Sequence, residues 1–123
     1  MILVDTSVWV SHLRDGNEPL KKLLYQASVA THPFIVGELS CGSIKNRRSV
    51  IELLKNLPVV KLAEHDEVLE LIEARRLFSS GIGWVDAHLL CSALISKIPF
   101  WTFDTKLRQL SVGVEINYSP TIG

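Results

Sequence analysis

Four acidic residues, Asp5, Glu38, Asp86 and Asp104, stand out because ordinary surface roles do not account for all of them at once. Asp5 follows the apolar run 1–4 and Asp104 ends the apolar run 99–103, so each stands between a strand-like stretch and a helix start. An Asp placed there most often caps the helix, and for either residue alone capping is the commoner role. Glu38 lies three residues after Ile35 and four after Phe34. Asp86 precedes Leu89, Leu90 and Ala93 by three, four and seven residues, with His88, Ser92 and Ser96 largely off that stripe. Helical periodicity therefore turns both carboxylates toward an apolar face. Taken singly, Asp86 is also explained as a first-turn acid favoured by the helix dipole, and Glu38 as half of a salt bridge.

Four carboxylates gathered at one place repel. At about 5 Å and an effective dielectric near 20, each pair costs roughly 3 kcal/mol, and six such pairs exceed a domain's usual stability of about 5 to 15 kcal/mol. Protonation or a divalent cation must then relieve them. An all-oxygen set without His or Cys suits Mg²⁺ or Mn²⁺ better than zinc. Such an ion activates water, polarises a phosphoryl group and stabilises a leaving oxygen, which is the chemistry of phosphodiester hydrolysis. Thr6 and Ser7, directly after Asp5, offer hydroxyls and helix-terminal N–H groups to a carboxylate or phosphate, beside their commoner role as caps.

The elements that must position these residues alternate along the chain. Residues 1–4 read as a strand, 8–13 as a helix, and the turn Asp15-Gly16-Asn17 leads to a second helix carrying Leu20, Leu23, Leu24 and Ala27. Residues 28–31 read as a strand, and Pro33 opens a helix through Phe34, Ile35, Glu38, Leu39 and Cys41 that Gly42 ends. A helix is expected over 46–56, a strand over 59–62, a helix over 64–78, a loop over 79–83 and a helix over 84–96. Strand 99–103, helix 104–110 and a last strand 112–116 complete the series. Short apolar strands alternating with helices predict an α/β domain with a parallel sheet, whose ligands bind beyond the strand C-termini.

The chain has 123 residues, 47% hydrophobic and 21% charged, which suits one domain with an adequate core. No apolar run is long enough to span a bilayer, so a soluble, cytoplasmic protein is expected. Cys41 and Cys91 lack CxxC spacing and read as two buried thiols in a reducing compartment. Thirteen Lys plus Arg balance thirteen Asp plus Glu, so attraction for a polyanion must come from local patches.

The string Ile2-Leu3-Val4-Asp5-Thr6-Ser7 resembles the opening of PIN-domain nucleases, especially the VapC-like toxins of toxin–antitoxin pairs. Glu38 in Ile35-Val36-Gly37-Glu38-Leu39, Asp86 in Trp84-Val85-Asp86-Ala87-His88-Leu89 and Asp104 in Thr102-Phe103-Asp104-Thr105-Lys106-Leu107 match the second, third and fourth acids of that family. The resemblance covers essentially the whole chain, residues 1–123. It implies a three-layer α/β/α fold with strand order 3-2-1-4-5 and Mg²⁺- or Mn²⁺-dependent endoribonuclease activity. It further implies a homodimer, a cognate antitoxin, and Thr6, Ser7 and Thr102 as polar residues around the metal.

Lys45, Arg47 and Arg48 form the densest basic cluster, and with Lys106 and Arg108 they are the candidate contacts to an RNA backbone; Arg75 and Arg76 are similar. A solvated helix start explains the first cluster equally simply. Trp9, Trp84 and Trp101 lie in apolar-rich segments and read as core or interface residues. His12, His32, His65 and His88 show no ligand spacing. A mean hydropathy of +0.24 is generous for so short a chain and points to apolar surface covered by a partner. Two other readings are a PIN-like module that binds RNA or protein without cutting it, and a signalling receiver domain. The receiver reading fits poorly, because Asp5 stands without an adjacent acid and the run 59–62 leads to Ala63, not to an Asp.

Overall fold

Leu3 and Val4 are completely buried, and the strand they form, β1 (Ile2–Val4), lies at the centre of a parallel sheet in the order β2-β1-β3. The computed structural model describes residues 1–120. After β1 come α1 (Thr6–Asp15), α2 (Glu18–Tyr25), β2 (Val29–Ala30), α3 (Pro33–Ser40), α4 (Arg47–Lys55), α5 (His65–Ala74), α6 (Trp84–Ser96), β3 (Phe100–Trp101) and α7 (Thr105–Gly113). Register pairs Leu3 with Ala30 on one side, and Leu3 with Phe100 and Val4 with Trp101 on the other. Single parallel bridges, Thr31 to Val59 and Phe100 to Asn117, extend the sheet outward. Counted along the chain, the five segments stand in the expected order 3-2-1-4-5 in an α/β/α arrangement.

Of two expected strands, 59–62 is reduced to the single bridge at Val59 and 112–116 does not form, the bridge at Asn117 falling just beyond it. In the segment 59–62, Val60 N–H donates to Thr31 O, but the N–H groups of Lys61 and Ala63 donate to the hydroxyls of Ser96 and Ser92 on α6, at 2.9 and 3.0 Å. Side chains thus take donors that a further strand would have used. The segment 112–116 is not a strand because α7 runs on to Gly113, Glu115 turns at φ 63°, and Ile116 N–H returns to Ser111 O. The helix expected over 64–78 stops at Ala74, and Arg76 at φ 55° leads into a 3₁₀ turn, Leu77–Ser79.

The core joins β1, β2 and β3 to Val8 and Trp9 of α1, Ile35 and Leu39 of α3, and Leu89, Leu90 and Ala93 of α6. Helix α6 is buried all round from Ala87 to Ala93, so His88 and Ser92, expected off the apolar stripe, are buried too. Of the two thiols expected inside, Cys91 is buried but Cys41, just past the end of α3, is exposed.

Candidate active site

The register that pairs Val4 with Trp101 brings the next residues, Asp5 and Thr102, side by side where β1 and β3 end. Asp5 begins α1 but its side chain does not cap it; Oδ2 instead accepts from Thr102 Oγ1 and Ser7 Oγ, both at 2.7 Å. These hydroxyls are oriented in turn. Ser7 Oγ accepts from Phe103 N–H at 3.0 Å and Thr102 Oγ1 from Asp104 N–H at 3.1 Å, so each proton is left to point at Asp5. The 3.3 Å approach of Ser7 Oγ to Thr102 Oγ1 is then a contact between two donors already committed. Asp5 is only 5% exposed, and its Oδ1 has no protein donor among the described residues.

Asp104 is a cap, as its position suggests: Oδ1 accepts from Leu107 N–H at 2.9 Å, which leaves its second oxygen outside the helix. Glu38, on the second turn of α3, accepts from Thr6 Oγ1 at 3.0 Å, so the first residue of α1 holds it toward β1. Asp86, in the first turn of α6, makes no side-chain hydrogen bond among the described residues. Burial first, then the charges of Asp5, Asp104 and Glu38, push its carboxyl up to about 6. Thus the structure brings the four acids within electrostatic reach of one another at the C-terminal edge of the sheet. Among the described residues the sole ion pair, Arg14 with Asp15, involves none of the four, so no cationic side chain is paired with them.

A shift in that direction has a stability consequence. Because the folded carboxyl of Asp86 binds its proton more tightly than the ordinary value of 3.8, the metal-free protein loses stability as pH rises from about 4 through about 6. Asp86→Asn lacks that dependence. In EDTA it is expected to melt a few degrees above the parent at pH 7, with the gain closing below pH 4. Equal midpoints at pH 7 in scanning calorimetry would count against the crowding.

Among the described residues no three His, Cys, Asp or Glu side chains form a ready-made metal cage. A hexahydrate-like ion such as Mg²⁺ does not need one, since it keeps several waters and takes one or two carboxylates. The donor set fits such an ion: hard oxygens, an Asp5 carboxylate with one oxygen free, and an acid whose pKa is raised by burial and then by the carboxylates around it.

The remaining candidates are distributed around this edge. Lys106, beside Asp104, lies against Gly81, its ammonium 2.8 Å from where a β-carbon would stand on that residue, which is held at φ +79°. Arg108 is exposed in a shallow groove with Phe103 and Val112. Arg47 is tied down: Nε and Nη2 donate to Ser40 O at 3.1 and 2.8 Å, closing the end of the helix that carries Glu38. Lys45 and Arg48 are exposed.

Trp9 and Trp101 are core residues as expected, but Trp84 is 40% exposed. It belongs to a strip of rings, His32–Phe34–His88–Trp84–His65, with successive centroids 4.9, 5.1, 4.6 and 5.0 Å apart. Inside the strip, burial and then His88 lower His32 to about 4, while burial and then His65 lower His88. Neutral His32 accepts from Phe34 N–H at Nδ1, which places its proton on Nε2 and makes it the cap of α3. The spacing of Trp84 and His88, four apart at the start of a helix, was the sequence signal for this strip.

A parallel sheet in this order with four acids at its C-terminal edge is the arrangement of a PIN domain, and residues 2–113 match the PIN domain family. The chain belongs to that family. It is 48% identical over 109 residues, 88% of each chain, to Ribonuclease VapC32 of Mycobacterium tuberculosis, in both strain CDC 1551 / Oshkosh and strain ATCC 25618 / H37Rv. The VapC-like resemblance is therefore upheld along most of the chain, and the receiver reading falls.

Proposed function

We propose that the protein is a Mg²⁺- or Mn²⁺-dependent endoribonuclease, the toxin of a toxin–antitoxin pair. The observation that carries this reading is the crowding of Asp5, Glu38, Asp86 and Asp104 at one sheet edge without a compensating cationic side chain among the described residues, which together with the larger effect of burial raises Asp86 to about 6. Likeness to a protein named as a ribonuclease and a VapC supports the substrate and the toxin role.

The four carboxylates would hold the ion. When bound, it supplies activation of water and stabilisation of charge on the phosphoryl and leaving oxygens. Ser7 and Thr102 keep one oxygen of Asp5 occupied and so aim the other outward. Thr6 holds Glu38. Asp86 would hold the ion as a carboxylate, so metal binding would be coupled to loss of its proton at pH values near or below 6. Lys106 and Arg108 follow Asp104 on α7 and, with Lys45 and Arg48, are suited to phosphate contacts that position RNA without reading its sequence.

In this reading the protein works in the cytoplasm, pairs as a homodimer, and is silenced by a cognate antitoxin. No helix among the described residues is long and apolar enough to cross a membrane. Incubation of purified protein with total RNA is the test: fragments are expected with Mg²⁺, none with excess EDTA, and recovery when Mg²⁺ or Mn²⁺ is restored. Cleavage that persists undiminished in EDTA would overturn the metal-dependent mechanism.

A further inference from the structure

We infer that Phe34 and Trp84 form a stacking platform for an unpaired nucleobase of the RNA, beside the acidic edge where the strand would be cut. The inference rests on the ribonuclease reading for its ligand class. Both rings are open to solvent, at 38% and 40%, although large aromatic side chains at helix starts are readily buried. They stand on either side of His88, which is 8% exposed, at centroid distances of 5.1 and 4.6 Å and ring angles of 71° and 85°. Packed edge against face on a buried ring, the pair is held in place and presents rigid π-surface, which lowers the entropy cost of stacking a ligand.

Position connects the platform to the acids. Phe34 and Glu38 are four apart on α3, and therefore on one face of it. Trp84 and Asp86 share the first turn of α6. Both helices begin at the C-terminal edge of the sheet, so the platform continues the candidate site and is not a separate surface.

Charge says what the platform is for. The chain has no net charge, and its acidic edge repels phosphate until a cation is bound. Beside the phosphate contacts of Lys45, Arg48, Lys106 and Arg108, contacts that do not depend on charge then add to the affinity for RNA. Base–aromatic stacking is such a contact, and it tolerates any base because every base has a π-face. Two exposed aromatic faces braced edge-to-face on a buried imidazole suit a heteroaromatic base better than an aliphatic peptide, which would call for a branched apolar groove.

Binding in low-salt EDTA buffer, where the metal-dependent reaction is off, tests the platform apart from catalysis. The probe is a short fluorescein-labelled single-stranded RNA of mixed sequence, compared by anisotropy with an abasic RNA of the same length. The parent is expected to bind the intact RNA roughly tenfold more tightly than the abasic one. Phe34→Leu/Trp84→Leu should bring the two affinities within about twofold while leaving the abasic affinity unchanged, and Trp84→Phe should keep most of the preference. An unchanged preference in a folded double variant overturns the proposal and leaves the rings to a protein partner. Equal loss for both RNAs also overturns it, because the rings would then support only the fold. Should the double variant fail to fold, the single variants Phe34→Leu and Trp84→Leu carry the same comparison. Base preference without cleavage of total RNA under Mg²⁺ would sink the ribonuclease reading alone; cleavage without base preference would sink the platform alone.

Discussion

Asp5→Asn and Asp86→Asn are each expected to lower Mg²⁺-dependent RNA cleavage by on the order of a thousandfold or more while leaving the far-ultraviolet circular dichroism spectrum unchanged. The amide is the right replacement because it keeps shape and removes charge. At Asp5 the two hydroxyl donors on Oδ2 still find a carbonyl oxygen to bond, so the local structure survives. What is lost is the anionic oxygen on the open side. At Asp86 no hydrogen bond is forfeited, and the repulsion from Asp5, Asp104 and Glu38 disappears, so a folded but inactive protein is the expected product. Single-turnover cleavage of a labelled RNA measures the effect; rates within a few-fold of the parent in pure, folded variants would remove these carboxylates from the mechanism.

Thr102→Val is expected to cost roughly 10- to 100-fold in kcat/KM, although Thr102 reaches neither the ion nor the RNA in the proposed mechanism. Valine fills the same volume in this buried site but cannot donate to Asp5 or accept from Asp104 N–H. One variant thus loosens two acids, and the unpaired backbone donor should reduce stability by about 1 to 3 kcal/mol. Thr102→Ser restores the hydroxyl and should restore most of the activity. A positioning role further requires that the metal concentration giving half-maximal activity rise in Thr102→Val. If activity falls while that midpoint stays fixed, the hydroxyl matters to the fold and not to the metal edge.

Much of this architecture is readable from the sequence because its signals are local. The apolar run ending at Asp5, Pro33 ahead of Glu38, the periodic stretch 84–96 and the strand-to-helix junction at Asp104 place all four acids on or beside the elements found. The failures have a common cause in contacts between distant segments. Asp5 looks like a helix cap because the caps of α1 are judged from its own neighbours, whereas its side chain is claimed by Thr102 across the sheet. Segment 59–62 looks like a full strand until Ser92 and Ser96, some thirty residues on, take its amides. Segment 112–116 has the composition of a strand, but Val112 is the last exposed turn of α7. Trp84 reads as a core or interface residue by its apolar surroundings, and its exposure, which rules out the core, follows from its standing at the end of a helix whose middle is what the core encloses.

The capture of Lys61 and Ala63 by α6 also governs how this chain can meet another. Because Val60 donates inward to Thr31, the donors on either side of it face away from the sheet, toward the place where a further strand would add. An open row of such amides is a template for edge-to-edge growth, and covering it with a helix is one way proteins prevent it. Here the cover is built from two serine hydroxyls of the same helix that carries Asp86. On that flank two of the outward donors are therefore withheld from any added strand, and the helix that withholds them is the one that carries Asp86 to the acidic edge.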